Sequence, residues 1–188
     1  MSRGFTSRRS LKPKFAIARA DAPFKSFEDL RRREIITGTT NSGSLTWPLA
    51  LNATLATKFK LVRGYPGGND VNLAMDRGEV QGRCGWSWTG IRASEYMNQY
   101  RNGQLTVFIQ NSMDKHPDIP EVPLIMDKAK TVEQKQMLQL VLAPQKMGRP
   151  FMAPPGIPAD RMAALRKAFN DTMRDPQLLE EANKMGLE

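Results

Sequence analysis

Hydroxyl-bearing residues and glycines fall in two short runs whose spacing suits capture of an anion: Gly38-Thr39-Thr40-Asn41-Ser42-Gly43-Ser44 and Gly64-Tyr65-Pro66-Gly67-Gly68-Asn69-Asp70. Each follows a β-branched or apolar run, Ile35-Ile36-Thr37 in the first case and Phe59-Lys60-Leu61-Val62 in the second. Each leads into a segment with helical periodicity. A strand that ends in glycine and opens a helix leaves backbone N–H groups aimed at one point, and the helix dipole adds partial positive charge there. Two such turns in one α/β unit fall at the same sheet edge, where open α/β folds bind ligands. The chemistry on offer is hydrogen bonding to a small anion, with no bond made or broken.

Other reactive residue types are sparse. Cys84 and His116 are the only cysteine and histidine. As a nucleophile and its base they lie far apart, and His116 has only Asp118 nearby to orient it. A lone cysteine in an apolar strand is usually a small buried hydrophobe. One cysteine forms no internal disulfide, and one cysteine with one histidine builds no ordinary zinc site, so no metal or cofactor is expected. The acidic residues sit at expected helix caps and on solvated faces, with no pair suited to general acid–base work. An α/β enzyme acting on a small phosphorylated or carboxylated substrate is the alternative that such a pair would support. Trp86 and Trp88 flank Ser87 at a strand end and are expected on opposite sides of an extended segment, filling core.

The net charge is +9. Its clusters, Arg8-Arg9 and Arg31-Arg32-Arg33, make no continuous basic stripe with interleaved aromatics, which a nucleic-acid-binding module needs. No nucleic-acid partner is expected, although a diffuse positive field helps gather carboxylates. With 188 residues, 40% hydrophobic and 25% charged, the chain suits one domain or two small ones. No apolar run reaches the ~20 residues that span a bilayer. The basic, serine-containing start lacks the apolar core of a signal peptide, so the chain as written is expected to stay in the cytoplasm.

The elements that must position the two turns alternate. Phe15–Ala18 reads as a strand. Ser26, with Asp29 in capping-box spacing, opens a short helix from Phe27 to Arg33. The strand Ile35–Gly38 leads to a helix starting at Ser44 and carrying Leu45, Leu49, Leu51, Leu55 and Ala56, with Pro48 in its first turn. A strand around Leu61 and Val62, a helix Asp70–Asp76, a strand Val80–Gly85, a helix Ser87–Tyr100 and a strand Leu105–Ile109 follow. This alternation predicts a doubly wound, mostly parallel sheet. The run His116-Pro117-Asp118-Ile119-Pro120-Glu121-Val122-Pro123 predicts an extended connector that does not pack. Beyond it Thr131 and Gln134 form a capping box. A short strand Arg149–Ala153 precedes a helix Ala159–Arg174, with an apolar stripe at Met162, Leu165, Ala168, Phe169 and Met173, and a last helix starts at Asp175-Pro176 and ends at Gly186. Met137, Met147, Met152, Met162, Met173 and Met185 read as adaptable packing. One strand makes no sheet alone, so strand exchange with a second copy is an expected route to a homo-oligomer.

Several of these segments, in order, resemble the substrate-binding proteins of tripartite tricarboxylate transporters (the Bug or TctC-like family). They are the run from Arg19 to Leu30, the Gly38–Ser44 loop, Gly64-Tyr65-Pro66-Gly67-Gly68, Ala74-Met75-Asp76-Arg77-Gly78-Glu79-Val80, the proline-rich connector, and Phe151-Met152-Ala153-Pro154-Pro155-Gly156-Ile157-Pro158. The resemblance implies a type II clamshell of periplasmic-binding-protein kind, with a doubly wound mixed sheet in the lobe present here. Residues 1–13 are then a basic, disordered start, 14–113 the second lobe, 114–123 a crossover, and 124–188 a helical segment belonging to the first lobe. That first lobe would precede Phe15 and a final strand would follow Glu188, so the chain reads as a truncated form. The resemblance further implies a periplasmic, non-enzymatic protein that binds a mono-, di- or tricarboxylate and delivers it to a membrane permease. Carried over, the ligand-binding residues are Thr39, Thr40, Ser42, Gly43 and Ser44 in one loop and Tyr65, Gly67 and Gly68 in the other. Gln81 departs from the family pattern, which commonly has Asp after Gly-Glu-Val.

Overall fold

The computed structural model describes residues 13–40, 44–147 and 151–185. The chain divides into two units, Lys12–Ala143 and Pro144–Glu188 with Met1–Leu11. In the first, β1 (Lys14–Arg19), β2 (Ile35–Thr40), β3 (Phe59–Tyr65), β4 (Gly82–Ser87) and β5 (Leu105–Asn111) form one sheet in the order β3-β2-β4-β1-β5. β2 is parallel to β3 and to β4, whereas β1 is antiparallel to both β4 and β5. The sheet is therefore mixed and not mostly parallel: β1 inserts in the opposite direction between two strands that run the same way. Local periodicity reports which residues are extended and carries nothing about neighbours in the sheet.

Both faces are covered. Along β1 the alternation of period 2 sends Ala16 and Ala18 to one core and Phe15 and Ile17 to the other. The first core is closed by Leu30 of α1 (Asp29–Arg32), Leu51 and Leu55 of α2 (Thr46–Leu55), Ile125 of a 3-10 turn (Ile125–Lys128), and Leu138 and Leu142 of α6 (Val132–Met147). The second is closed by Ala74 and Met75 of α3 (Gly68–Asp76), Trp88 and Ile91 of α4 (Trp88–Arg92) and Tyr96 of α5 (Tyr96–Arg101). Each large apolar side chain fully buried in this way contributes about 1.5–3 kcal/mol.

A capping box locates α6, whereas α1 begins at Asp29 with Glu28 as its N-cap and no side-chain capping bond, not at Phe27 after Ser26. Gln134 N donates to Thr131 Oγ1 at 3.2 Å while Thr131 N donates to Gln134 Oε1 at 3.3 Å, a reciprocal box at the start of α6. Asp29 accepts the backbone N–H groups of Lys25 and Ser26, each at 3.0 Å, and these bonds hold its carboxyl below its ordinary value.

Several expected elements differ. The helix expected from Ser87 to Tyr100 is two helices, broken where the Ser94 hydroxyl donates to the Ile91 carbonyl at 2.9 Å. The helix expected to begin at Ser44 begins at Thr46, and its Leu49 is exposed. The proline-rich connector is packed: Ile119 and Val122 are buried, because the buried Gln110 side chain satisfies the connector's polar backbone. Gln110 Nε2 donates to the Ile119 and Val122 carbonyls, both at 2.9 Å, and Oε1 accepts from His116 N at 2.8 Å.

The second unit contains α7 (Ala159–Thr172) and α8 (Pro176–Lys184), the latter capped by Asp175 Oδ1 accepting from Leu178 N at 2.9 Å. The unit boundary falls inside α6 at Pro144, which has no N–H to continue the helical ladder. Phe151–Ala153 is not a strand, and the Arg149, Pro150 and Gly186 parts of the expected elements lie outside the described residues. Neither α7 nor α8 buries a residue; the expected stripe of α7 is partly open, with Leu165 exposed and Phe169 beside Phe151 at 5.3 Å between ring centroids. Among the described residues no helix is long and apolar enough to cross a membrane.

Candidate functional site

β2 and β3 end side by side, with Thr40 paired to Tyr65, so both glycine turns leave the same edge of the sheet. At the first turn Thr39 is fully buried and its hydroxyl donates across the strands to the Val62 carbonyl at 3.3 Å. Thr39 frames the turn and offers no hydroxyl outward. Ser44 does not cap α2. It turns back on Thr40 instead, its Oγ accepting from Thr40 N at 3.0 Å, lying 3.0 Å from Thr40 Oγ1 and 3.3 Å from the Thr40 carbonyl. A hydroxyl placed to close a loop in this way competes with the capping geometry that a serine at a helix start otherwise adopts. Ser42 and Gly43, with Asn41, lie outside the described residues.

The first turn rests on a bulge. Phe15 pairs with Trp86 and Ala16 with Cys84, so Gly85 is the extra residue, and its φ of +89° is one that glycine adopts without strain. A Cβ there would stand 2.7 Å from Trp47 Cδ1 and 3.6 Å from Ser44 Cα. The bulge also explains why Cys84 and Trp86, two residues apart, lie in opposite cores. Trp86 and Trp88 were expected on opposite sides. They share one core, as residues two apart along an extended chain do, with Trp88 opening α4.

At the second turn β3 continues through Gly64 and Tyr65, leaving Pro66 and Gly67 as the connection to α3, which starts at Gly68 and not at Asp70. Gly67 is its N-cap in extended conformation with no side-chain capping bond. The opposite end of α3 is capped by Arg19, whose Nη1 donates to the Met75 and Asp76 carbonyls at 2.7 and 3.2 Å. Tyr65 leans over Gly38: a Cβ on Gly38 would come within 3.1 Å of the Tyr65 ring and 2.8 Å of Val71 Cγ1. Its hydroxyl makes no hydrogen bond to a described residue.

One residue that sequence reasoning passed over lies at this turn. Arg83 of β4 is half-buried, its guanidinium 4.6 Å above the Trp86 ring. Nη1 donates to the Gly68 carbonyl at 3.1 Å and to Asn72 Oδ1 at 2.8 Å. A Cβ on Gly68 would fall 2.6 Å from Arg83 Nη2, so this glycine makes room for the guanidinium. Burial lowers the Arg83 pKa to about 10, which still leaves it charged at neutral pH. The signal was available: a lone arginine between Gly82 and Cys84, in a strand whose alternate residues are buried, is costly to place there.

Cys84 is fully buried, and burial pushes its thiol far up, so it stays protonated. Cys84 belongs to the first core, whereas His116 lies 5.7 Å from Trp88 of the second, its Nδ1 accepting from Asp118 N at 3.2 Å. The fold does not bring the pair together. Gln81 sits at the far end of β2, its Oε1 accepting from Ile36 N at 2.9 Å, where it knits strands and takes no part at the turns. Among the described residues no three His, Cys, Asp or Glu side chains are grouped to hold a metal.

No protein-family model and no curated protein matches this chain. Among solved structures it is similar to a TctC solute-binding protein from Polaromonas, with 16% identity, a TM-score of 0.61, and coverage of 93% of this chain and 57% of that one. The periplasmic binding protein BugD gives 17%, 0.61, 93% and 56% in the same order. MatC from Rhodopseudomonas palustris, solved with bound malate, gives 18%, 0.56, 93% and 56%. The chain thus spans a little over half the length of each of these neighbours. It shares the mixed α/β fold of periplasmic solute-binding proteins.

Proposed function

We propose that the chain is a solute-binding protein that captures a small organic carboxylate for a tripartite tricarboxylate-type transporter, handing it to a membrane permease and performing no chemistry on it. The observation that carries this reading is the convergence of two strand-to-helix turns on one sheet edge, on a fold also adopted by a malate-bound protein. Ligand oxygens are held by backbone N–H groups and hydroxyls of Thr40, Ser42, Gly43 and Ser44 on one side and of Tyr65, Gly67 and Gly68 on the other, with Thr39 as frame. The unit Lys12–Ala143, which includes the crossover 114–123 and the part of α6 that closes the first core, serves as one lobe, and 144–188 as a segment of the opposing lobe, with the whole acting in the periplasm. Closure of such lobes excludes water and strengthens each of these bonds.

Thermal unfolding of the chain with malate, succinate, citrate and adipate tests the reading. A ligand that binds only the folded state at about ten times its Kd adds about 1.4 kcal/mol. The expected result is a midpoint that rises with the concentration of at least one acid and is unmoved by its uncharged diamide. No movement with any of the four acids at tens of millimolar refutes it.

A further inference from the structure

We infer that Arg83 is the residue that supplies the positive charge to the ligand, so that the second glycine turn, and not the first, selects for a carboxylate. This deepens the reading above and rests on it. Three observations point the same way. The guanidinium is half-buried, yet it has no carboxylate within ion-pair distance among the described residues. A cation held from water without a counter-ion is costly, and an incoming carboxylate removes that cost.

The group is also held in place. Nη1 is taken by the Gly68 carbonyl and Asn72 Oδ1, and the plane is braced by Trp86, while Nε and Nη2 make no hydrogen bond to a described residue. Those two atoms form the edge of the guanidinium that matches a carboxylate with two parallel hydrogen bonds. A side chain already fixed by its other edge loses little freedom when the ligand arrives. Finally, Gly68 leaves the space that the guanidinium occupies, and Gly67 and Gly68 set the uncapped start of α3 beside it. The described residues of the first turn include no cation, and its Ser44 hydroxyl is already engaged with Thr40. Exposed cations such as Lys60, which lies 3.9 Å from Glu34, are solvated and do not discriminate.

Calorimetric titration of malate, citrate and adipate into the wild-type chain, Arg83→Gln, Arg83→Lys and Lys60→Gln tests this. The expected result is a loss of at least ~30-fold in Arg83→Gln, a smaller loss in Arg83→Lys, which keeps charge without the fork, and less than about twofold in Lys60→Gln. Phenylglyoxal modification of the wild-type chain, read by peptide mass, gives a second measurement that does not depend on the variants folding. Bound malate is expected to protect Arg83 and to leave Arg31 and Arg63 reactive. Unchanged affinity in Arg83→Gln, or no protection while the wild type binds, overturns the role of Arg83 and leaves the carboxylate reading standing. A wild-type chain that binds none of the three acids overturns both.

Discussion

The turn after β2 and the turn after β3 share a sequence pattern and a sheet edge, but they are filled differently. At the first, Thr40 and Ser44 bind each other, Thr39 faces inward, and Ser44 stands beside a glycine bulge pressed against Trp47. At the second, two glycines open a helix without a side-chain cap and a braced arginine lies against them. The same residue type does opposite things. Gly85 lets backbone and an indole ring approach, whereas Gly68 leaves room for the charged end of Arg83. The described flanks of the first turn, Thr39, Thr40 and Ser44, have hydroxyls bonded within the frame. The second holds a half-buried guanidinium that we infer to be matched by the ligand.

Replacing each glycine by alanine separates the two roles, and the larger effect belongs to the frame. Gly85→Ala forces a side chain into a positive-φ position and against Trp47, so it is expected to destabilise the chain by about 3 kcal/mol in denaturant titration. A cost under about 1 kcal/mol breaks the claim that the bulge at Gly85 supports Ser44 and Trp47.

Gly68→Ala is expected to cost only about 1 kcal/mol, because it meets the end of the Arg83 side chain and not backbone or a ring, so that the loss is that side chain's hydrogen bonds to Gly68 and Asn72. It is also expected to weaken malate binding about tenfold by shifting that guanidinium. Equal losses of stability at the two sites erase the distinction.

The smallest effect is a pH dependence. Burial has lowered the folded-state Arg83 pKa from its ordinary arginine value to about 10. The charged form is thus disfavoured in the free folded chain; its destabilising contribution is fully present below about pH 10 and fades as pH rises from there towards the ordinary arginine range. Malate affinity, which needs the charge, is expected to stay flat from about pH 6 to 9 and to fall once pH exceeds that of the Arg83 transition. An affinity that titrates near neutrality instead assigns recognition to another group.

Much of this contrast was only half legible in the chain. The two turns stood out because glycine after a β-branched run and before helical periodicity is a local signal, and Thr131 with Gln134 marked a helix start for the same reason. The insertion of β1 between β4 and β5 and the break between α4 and α5 depend on tertiary partners that periodicity does not encode. The connector shows why composition misleads: its prolines exclude helix but do not prevent burial once Gln110 satisfies the neighbouring carbonyls. Arg83 left a signal in the strand pattern, a charge beside buried alternate residues, but its lack of a carboxylate partner among the described residues shows only once the chain is packed.

The most direct measurement is an NMR titration of the isotopically labelled chain with malate, following backbone amides together with arginine Nε–H resonances. The account predicts the largest shifts at the Gly67, Gly68 and Asn69 amides and at Arg83 Nε, with smaller movements at Thr40 and Ser44. Shifts centred on the start of α2, with Arg83 Nε unmoved at saturation, would contradict it.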